Sequence, residues 1–261
     1  MKILLFDVEN FPNLGWSYGV YDTTMFKLVK PKLICSIAWQ WLGEEKIHTM
    51  ALPDFPDYDR RAWSRGEWMM PKSKLWNNRL LIAHFAREIR QADVIVAHNL
   101  KKHDARMVNT AIGMNHQRAL APVLEIDTLE VLRGRFSFPK NGLGYVCEEL
   151  GIGKKLDPSG LWERCLYGDM AAWRDYKVYN KHDVTLLRGL YEFELPWIRN
   201  HPNLNLTSPG LVCPHCGSGK MPRSDGFRFT KAGKYQRLYC RDCFAPIQGM
   251  VIKGKLTYRP I

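Results

Sequence analysis

Acidic side chains occur at three places in the chain where they could hold a divalent cation. Asp7 and Glu9 lie two residues apart at the end of an apolar run, Asp104 follows a second apolar run, and Asp183 lies in a long helical pattern. Alternate residues of a strand project to the same face, so Asp7 and Glu9 would share one. Two buried carboxylates repel each other, and a Mg²⁺ or Mn²⁺ ion would relieve that repulsion.

A tyrosine belongs to the same pattern. Tyr179 precedes Asp183 by four residues, which places both on one face of a helix, where the tyrosine could hold a water beside a bound cation. Each pattern is weak alone, because such an acid often caps a helix and a tyrosine often belongs to the core. Together and in this order they predict a nuclease site. His98, His103 and His182 offer a rival metal site, but the acids beside them already account for the pattern.

The same stretches resemble the DEDD 3′–5′ exonucleases of the ribonuclease H-like superfamily. The matching segments are residues 6–9, 98–104, 126–129 and 179–183, and the resemblance covers most of residues 1–200. The tyrosine form of the family has Tyr four residues before the last Asp, as here. The histidine form has His one residue earlier, where this chain has Val178. One departure is His103, at a position where Phe is commoner.

The resemblance implies a two-metal hydrolysis of nucleic acid, with DNA expected in preference to RNA, that releases nucleoside 5′-monophosphates from the 3′ end. Asp7 would bridge two Mg²⁺ or Mn²⁺ ions, and Glu9 and Asp183 would complete one site. Asp104 would hold the second ion, and Tyr179 would orient the attacking water. The resemblance also suggests a bacterial or phage protein of the cytoplasm, with a polymerase or another replication protein as a possible partner.

Two other functions stay open at this point. The same superfamily supports internal cuts, so a structure-selective endonuclease is one alternative. The other is a catalytically inactive nucleic-acid-binding protein, against which the intact set of acids argues.

Four cysteines form a second constellation. Cys213 and Cys216, and Cys240 and Cys243, make two Cys-x-x-Cys pairs with 23 residues between them. Four thiolates at this spacing suit one tetrahedral Zn²⁺, which would stabilise a segment too short to build its own core. A redox pair is the rival interpretation of one such motif, and His215 is an alternative ligand. The segment resembles the zinc ribbons of transposases and other DNA-associated proteins.

The charge of the chain is concentrated in this C-terminal segment. The net charge is +12, and residues 211–261 hold ten Lys and Arg against two Asp and Glu. Such a basic segment favours a nucleic-acid partner, although it could also be a solvated face or a ribbon that docks on the nuclease domain or on a partner protein. The candidate nucleic-acid-binding residues are Asn99, Lys101, Lys102 and Lys181 near the acids, and Lys231, Lys234, Arg237 and Arg241 in the ribbon.

The order of apolar patterns predicts the architecture. Strands are expected at 2–9, 16–21, 33–42, 46–52 and 93–97, and helices at 78–91, 103–112, 142–150 and 169–194. Strands followed by alternating strands and helices indicate an α/β fold. With the resemblance, this becomes a ribonuclease H-like mixed five-stranded sheet flanked by helices in an exonuclease domain (1–200), a linker (201–210) and a zinc ribbon (211–261).

Two further features bear on where and how the protein works. No apolar stretch approaches the ~18 residues of a membrane span, and an odd number of cysteines without a secretory signal favours reduced thiols in the cytosol. Residues 53–71 form an irregular insertion, in which Trp63, Arg65 and Trp68, with the following Lys72, could grip a nucleic-acid strand. We favour the alternative, a loop fixed by its own tryptophans.

Overall fold

The computed structural model describes residues 1–19, 24–70, 73–230, 233–252 and 255–260. Its strands are β1 (Ile3–Phe11), β2 (Leu14–Trp16), β3 (Lys27–Lys30), β4 (Leu33–Trp41), β5 (His48–Ala51), β6 (Val94–Ala97), β7 (Leu124–Asp127), β8 (Arg223–Thr230), β9 (Gly233–Tyr239), β10 (Pro246–Ile252) and β11 (Lys255–Pro260). Its α-helices are α1 (Arg60–Ser64), α2 (Arg79–Ile89), α3 (Asp104–Met114), α4 (Thr128–Arg135), α5 (Leu143–Glu149), α6 (Leu161–Leu166) and α7 (Met170–Glu194).

A mixed five-stranded sheet lies at the centre, with the strand order β5-β4-β1-β6-β7. β4 runs antiparallel to β1 and β5, whereas β6 is parallel to both β1 and β7. Helices pack against this sheet, so the predicted α/β class and mixed five-stranded sheet are confirmed. Within the described ranges, no helix combines the length and the apolar character needed to cross a bilayer.

The two faces of β1 have different roles. Leu4, Phe6 and Val8 belong to the main hydrophobic core, together with residues of α2 and α3. Ile3 and Leu5, on the other face, pack with Leu187 and Tyr191 of α7. Side chains alternate along a strand, so the next two residues of that second face are Asp7 and Glu9. The fold therefore turns both acids toward α7.

The helix α7 spans 25 residues, which corresponds to a length of about 37 Å. It begins where the Asp169 carboxylate accepts hydrogen bonds from the backbone N–H groups of Ala171 and Ala172, at 2.8 and 3.2 Å. It ends in a 3₁₀ turn, Leu195–Trp197, that contains a proline. The helix predicted from the sequence is thus observed, and it packs against the sheet at β1, β4 and β5.

The insertion at residues 53–71 is more ordered than the sequence predicted, because it contains α1 and two 3₁₀ turns. Trp63 is only 1% exposed and Trp68 is also buried. The Trp63 ring lies 5.8 Å from that of Phe11 at the end of β1, and its neighbours include the ring of Trp76 at 6.0 Å. The tryptophans therefore brace the end of β1 rather than grip a strand. Lys72 lies outside the described residues.

The second predicted strand, at residues 16–21, is shorter and begins earlier than expected. β2 ends at Trp16 and pairs with β3 in a separate two-stranded sheet. Residues 20 and 21 lie outside the described part of the chain. The side chains of Trp16 and Tyr18 are exposed, so this pairing has no core beneath it to extend the strand.

The C-terminal sheet is antiparallel, with the order β11-β10-β9-β8. Its small core contains Leu238 and Ile247 beside the cysteines. Between α7 and this sheet, residues 201–210 contain the buried His201 and a 3₁₀ turn, Leu204–Leu206. The segment connecting the two sheets is therefore packed along part of its length.

Candidate active site and zinc centre

Three carboxylates meet between β1 and α7. One oxygen from each of Asp7, Glu9 and Asp183 lies within 4.8 Å of the others. Asp183 is 1% exposed, and its Oδ1 atom accepts no hydrogen bond. A buried acceptor without a partner is unfavourable, and a cation would satisfy it. The acidic group could therefore hold a divalent metal ion, for which carboxylate oxygens are suitable ligands.

The Asp7 carboxylate is held by a buried hydrogen-bond chain. Asn180 Nδ2 donates to Asp7 Oδ2 at 2.7 Å, and the Ser36 hydroxyl donates to Asn180 Oδ1 at 2.9 Å. Ser36 lies on β4 opposite Glu9, and both Ser36 and Asn180 are fully buried. The chain fixes the rotamer of Asp7 while leaving its second oxygen available.

Glu9 is held by a different partner on the same helix. The Tyr176 hydroxyl donates to Glu9 Oε2 at 3.0 Å. Burial, and then the negative charge of Asp183, raises the pKa of Glu9 to about 7, although the Tyr176 hydrogen bond opposes this shift. Burial also raises the pKa of Asp7, to which the charges of Glu9, Asp104 and Asp183 add. The site therefore favours the uptake of positive charge.

Asp104 is buried at the start of α3, outside the three-carboxylate group but close enough for its charge to act on Asp7. Its Oδ1 atom accepts a hydrogen bond from the backbone N–H of Val8 at 3.3 Å, and its Oδ2 atom lies 3.7 Å from His103 Nδ1. Asp104 thus sits beside β1 between the two acids of that strand, and its role as a metal ligand remains a prediction.

The loop before α3 is organised by Asp127 at the end of β7. Its carboxylate accepts hydrogen bonds from the backbone N–H groups of Asn99, Lys101 and Leu129, at 3.0, 3.1 and 3.1 Å. Asn99 has a φ of 68°, in the left-handed region that asparagine tolerates. Asp127 therefore caps a helix and shapes a loop.

The orientation of α7 decides which of positions 178 and 179 faces the acids. Tyr179 is 5% exposed and lies one turn before Asp183, whereas Val178 is 59% exposed. Successive helical residues are rotated by about 100°, so only one of these two positions can face the acids. A residue at position 178 projects to solvent.

A lysine that the sequence analysis did not select completes the site. Lys155 Nζ lies 2.7 Å from Asp183 Oδ2 and 5.2 Å from the centre of the Tyr179 ring. Burial lowers the pKa of Lys155, but the charge of Asp183 and hydrogen bonds to Asp183 and Tyr179 outweigh it, and the pKa is raised overall. Lys155 therefore stays charged and offsets part of the negative charge of the acids.

Close glycine contacts place the loop that carries Lys155. A Cβ atom on Gly153 would lie 2.9 Å from Leu186 Cδ2 of α7, and one on Gly189 would lie 2.5 Å from Ile152 Cγ2. Both distances are too short for ordinary packing, so the two glycines allow the loop to approach α7. This approach brings Lys155 to Asp183.

The basic residues proposed near the acids differ in their surroundings. Lys101 Nζ forms an ion pair with Glu130 at 2.6 Å, and Lys102 is exposed. Lys181 is exposed and borders a surface cavity with residues of β4 and β5. Because it lies two residues before Asp183, it projects to nearly the opposite side of α7. These residues, with Asn99, remain predicted contacts to nucleic acid.

Three residues of the site, Tyr176, Asn180 and Lys155, were not predicted from the sequence. Two of them nevertheless had a signal there. Tyr176 and Asn180 lie seven and three residues before Asp183, the spacing of a single helix face. Extending the Tyr179–Asp183 pattern by one turn would have found them. Lys155 lies in a loop without periodicity and had no such signal.

The cysteine quartet forms a second candidate metal centre. The Sγ atoms of Cys213, Cys216, Cys240 and Cys243 lie within 4.8 Å of one another. The Cys213–Cys243 and Cys216–Cys240 sulfur distances are 3.7 and 3.6 Å. Four sulfurs at ~2.3 Å from a tetrahedral zinc ion would be ~3.8 Å apart, so the cluster could bind zinc. His215, the alternative ligand, is not part of it.

Cys216 and Cys243, one cysteine from each pair, pack against the cluster that contains Tyr191 at the end of α7. Tyr191 and His201 Nε2 share a hydrogen bond of 2.7 Å, and His201 Nδ1 donates to the Pro202 carbonyl at 2.8 Å. Burial and the neighbouring His215, whose ring centre is 5.2 Å away, lower the pKa of His201 to about 4. His201 is therefore neutral, and its Nε2 atom accepts from the tyrosine hydroxyl.

The basic residues predicted in the ribbon are also in different surroundings. The Lys234 ammonium lies 4.0 Å from the centre of the Phe227 ring. Arg237 forms an ion pair with Asp225 at 2.8 Å, and Arg241 is exposed. Lys231 lies outside the described residues. Their contacts to nucleic acid remain predictions.

Comparisons with known proteins give a distant similarity to solved structures. No family model matches the chain, and no curated protein matches its sequence. Among solved structures, the family B DNA polymerase from the hyperthermophilic archaeon Pyrobaculum calidifontis is similar over 76% of this chain, with 16% identity and a TM-score of 0.46. The match covers 26% of the polymerase, so this chain spans about a quarter of its length. A similarity this distant assigns no activity.

The raised pKa of Glu9 gives a pH-dependent stability without added Mg²⁺ or Mn²⁺. Glu9 titrates near 7 in the folded protein, against an ordinary value of 4.5. The folded state binds the proton more tightly, so the free energy of unfolding should fall as the pH rises from 4.5 through 7. Glu9→Gln should therefore stabilise the protein by about 3 kcal/mol at pH 8 but not at pH 4.5, as measured by urea unfolding.

The matched control is Glu192→Gln, which removes an exposed carboxylate from the same helix. It should show no such difference between the two pH values. Equal stability of Glu9→Gln and the parent at pH 8 would contradict the destabilising role assigned to the Glu9 charge.

Loss of zinc from the cysteine cluster should destabilise residues 1–200 as well as the C-terminal sheet. Leu204, Cys216 and Cys243 pack against the cluster that contains Ile3 and Tyr191, so an unfolded ribbon would expose that cluster. From the packing, we expect Cys216→Ser to lower the melting temperature of residues 1–200 by several degrees. All nine tryptophans lie in that range, so tryptophan fluorescence reports on it alone.

The control is the parent protein, stripped of metal by a chelator and then given back zinc only, which should recover its original transition. An unchanged tryptophan transition in Cys216→Ser would limit the influence of zinc to the tail.

Proposed function

We propose that this protein is a metal-dependent 3′–5′ exonuclease that hydrolyses nucleic acid, DNA in preference to RNA, and releases nucleoside 5′-monophosphates. The observation that carries the proposal is the group of Asp7, Glu9 and Asp183, with an unpartnered buried oxygen on Asp183 and a tyrosine one turn away. The direction of attack, from the 3′ end, is supported by the resemblance of the sequence motifs.

In this proposal the carboxylates divide the work of holding two cations. Asp7 would contribute to the binding of both ions, Glu9 and Asp183 would complete one site, and Asp104 would serve the second. Bound Mg²⁺ or Mn²⁺ would polarise the phosphodiester and lower the pKa of a bound water. Asn180 and Tyr176 keep Asp7 and Glu9 in the orientation that this requires.

Tyr179 and Lys155 serve to position the attacking water. The Tyr179 hydroxyl orients the attacking water, and Lys155, which pairs with Asp183 and lies 5.2 Å from the centre of the Tyr179 ring, supports both side chains. Lys155 is a positioning residue, because it acts through Tyr179 and Asp183. Its positive charge also opposes the repulsion between the acids and an incoming phosphate.

The parts of the chain are assigned accordingly. Residues 1–200 form the exonuclease domain, 201–210 connect it to the C-terminal part, and 211–261 form a zinc ribbon that helps to hold the nucleic acid. A polymerase or another replication protein is the partner that such an activity would serve.

The first test is a time course with Mg²⁺ or Mn²⁺ on single-stranded DNA and RNA that carry a label at the 5′ or the 3′ end. A descending ladder from the 5′ label and a mononucleotide from the 3′ label are expected. Asp183→Asn should lower the rate by at least about a hundredfold, because a metal ligand is lost. The Glu192→Gln control on the same helix should keep full activity.

The other outcomes separate the alternatives. Discrete internal fragments would identify an endonuclease instead. Binding without cleavage under either metal would identify an inactive nucleic-acid-binding protein. Full activity of Asp183→Asn, with an unchanged circular dichroism spectrum, would overturn the assignment of the site.

Variants of Tyr179 and Lys155 test whether these two residues position the attacking water. Tyr179→Phe should lower kcat about tenfold, less than the loss of a carboxylate, because the metal ligands remain. Lys155→Gln should lower kcat similarly, and the double variant should lower it by less than the product of the two single losses, since Lys155 acts in part through Tyr179. Steady-state rates on a 3′-labelled strand measure both. Fully multiplicative losses would show that the two residues act independently.

A further inference from the structure

The hairpin of β8 and β9 exposes two aromatic rings that no core residue covers. Phe227 and Phe229 are 56% and 73% exposed, respectively. They lie two residues apart on β8, so they project to the same face. The ribbon core of Leu238, Ile247 and the cysteines does not include them. Two neighbouring exposed rings of this kind indicate a binding surface.

A lysine of the opposite strand joins the two rings. Lys234 pairs with Phe229 across the hairpin, and its ammonium lies 4.0 Å from the centre of the Phe227 ring and 5.5 Å from that of Phe229. These distances are within the range of cation–π contacts. The two rings stay largely accessible despite this contact. The hairpin therefore presents flat aromatic surfaces and a positive charge at one place.

The charges around the hairpin identify the occupant as a polyanion. Residues 211–261 contain ten Lys and Arg but only two acids, Asp225 and Asp242. Both acids are already paired, Asp225 with Arg237 at 2.8 Å and Asp242 with Lys220 at 2.6 Å. Most of the basic residues thus have no acid in the segment to neutralise them. A partner that offers both phosphates and flat apolar rings is a nucleic-acid strand with unpaired bases.

We propose that Phe227, Phe229 and Lys234 form a stacking site for the unpaired bases of a single nucleic-acid strand. In a duplex the base faces are occupied by their neighbours, so only an unpaired segment can use the rings. The inference that this strand is the substrate rests on the proposed function. It deepens that function by making the unpaired strand the preferred substrate class.

Binding can be measured apart from catalysis. The full-length, zinc-loaded Asp183→Asn chain, without added Mg²⁺ or Mn²⁺, is titrated into a fluorescent oligothymidylate of about 20 nucleotides, longer than a typical single-strand site. A blunt duplex of equal length is the comparison. Fluorescence anisotropy should show that Phe227→Ala/Phe229→Ala weakens binding of the single strand at least about tenfold. Binding of the duplex should change much less.

Two controls separate stacking from charge and from folding. Phe244→Ala removes a similarly exposed ring (71%) elsewhere in the ribbon and should leave the affinity unchanged. Phe227→Tyr/Phe229→Tyr keeps both rings and should also bind as the parent does. Lys234→Gln should reduce the slope of log affinity against log salt by about one, whereas the ring deletion should leave the slope unchanged. An unchanged zinc content shows that each variant is folded.

The binding measurements test the stacking site separately from the proposed nuclease activity. Equal binding of the single strand by the ring-deletion variant and the parent overturns the stacking site, even if the parent is an exonuclease. An equal loss on single strand and duplex also overturns it. A selective loss on the single strand supports the site, even if no cleavage is found with the intact acids.

Discussion

The carboxylates buried at one end of β1 repel each other, and the surrounding structure has to supply a partner that stabilises each of them. Asp7, Glu9 and Asp183 have oxygens within 4.8 Å of one another, in a region where burial disfavours charge. Each acid has a different partner: an amide for Asp7, a phenol for Glu9 and an ammonium for Asp183. The partners come from α7 and from the loop before α6. The packing of that helix and loop against the sheet is thus tied to the electrostatics of the site.

Local patterns in the sequence were enough to place the residues that share a strand or a helix. Asp7 and Glu9 follow strand alternation, and Tyr179 and Asp183 follow the helical repeat, so their relative orientation needs no knowledge of the rest of the fold. Lys155 reaches Asp183 only because glycines let two distant segments approach, and no local pattern encodes such a contact. Trp63 shows the same limit: its residue type suits either a core or a surface that stacks bases, and only burial decides between them.

The two sheets are connected by more than the chain that joins them. Tyr191, His201 and His215 form a buried contact between the end of α7 and the first cysteine pair. The same helix carries Tyr179 and Asp183, three and two turns earlier. The cysteine cluster and the acid site are therefore connected through one helix, α7. A basic segment attached in this way differs from a mobile tail, because its position relative to the acids is held by packing.

The length of α7 has a consequence for motion. Its start is capped by Asp169, its middle is held by hydrogen bonds to the acids, and its end packs against the cluster that Cys216 and Cys243 contact. Restraints at its start, middle and end all oppose fraying of the terminal turns. Amide hydrogen exchange along α7 should therefore be slow over a longer stretch than a helix held at its centre alone would show.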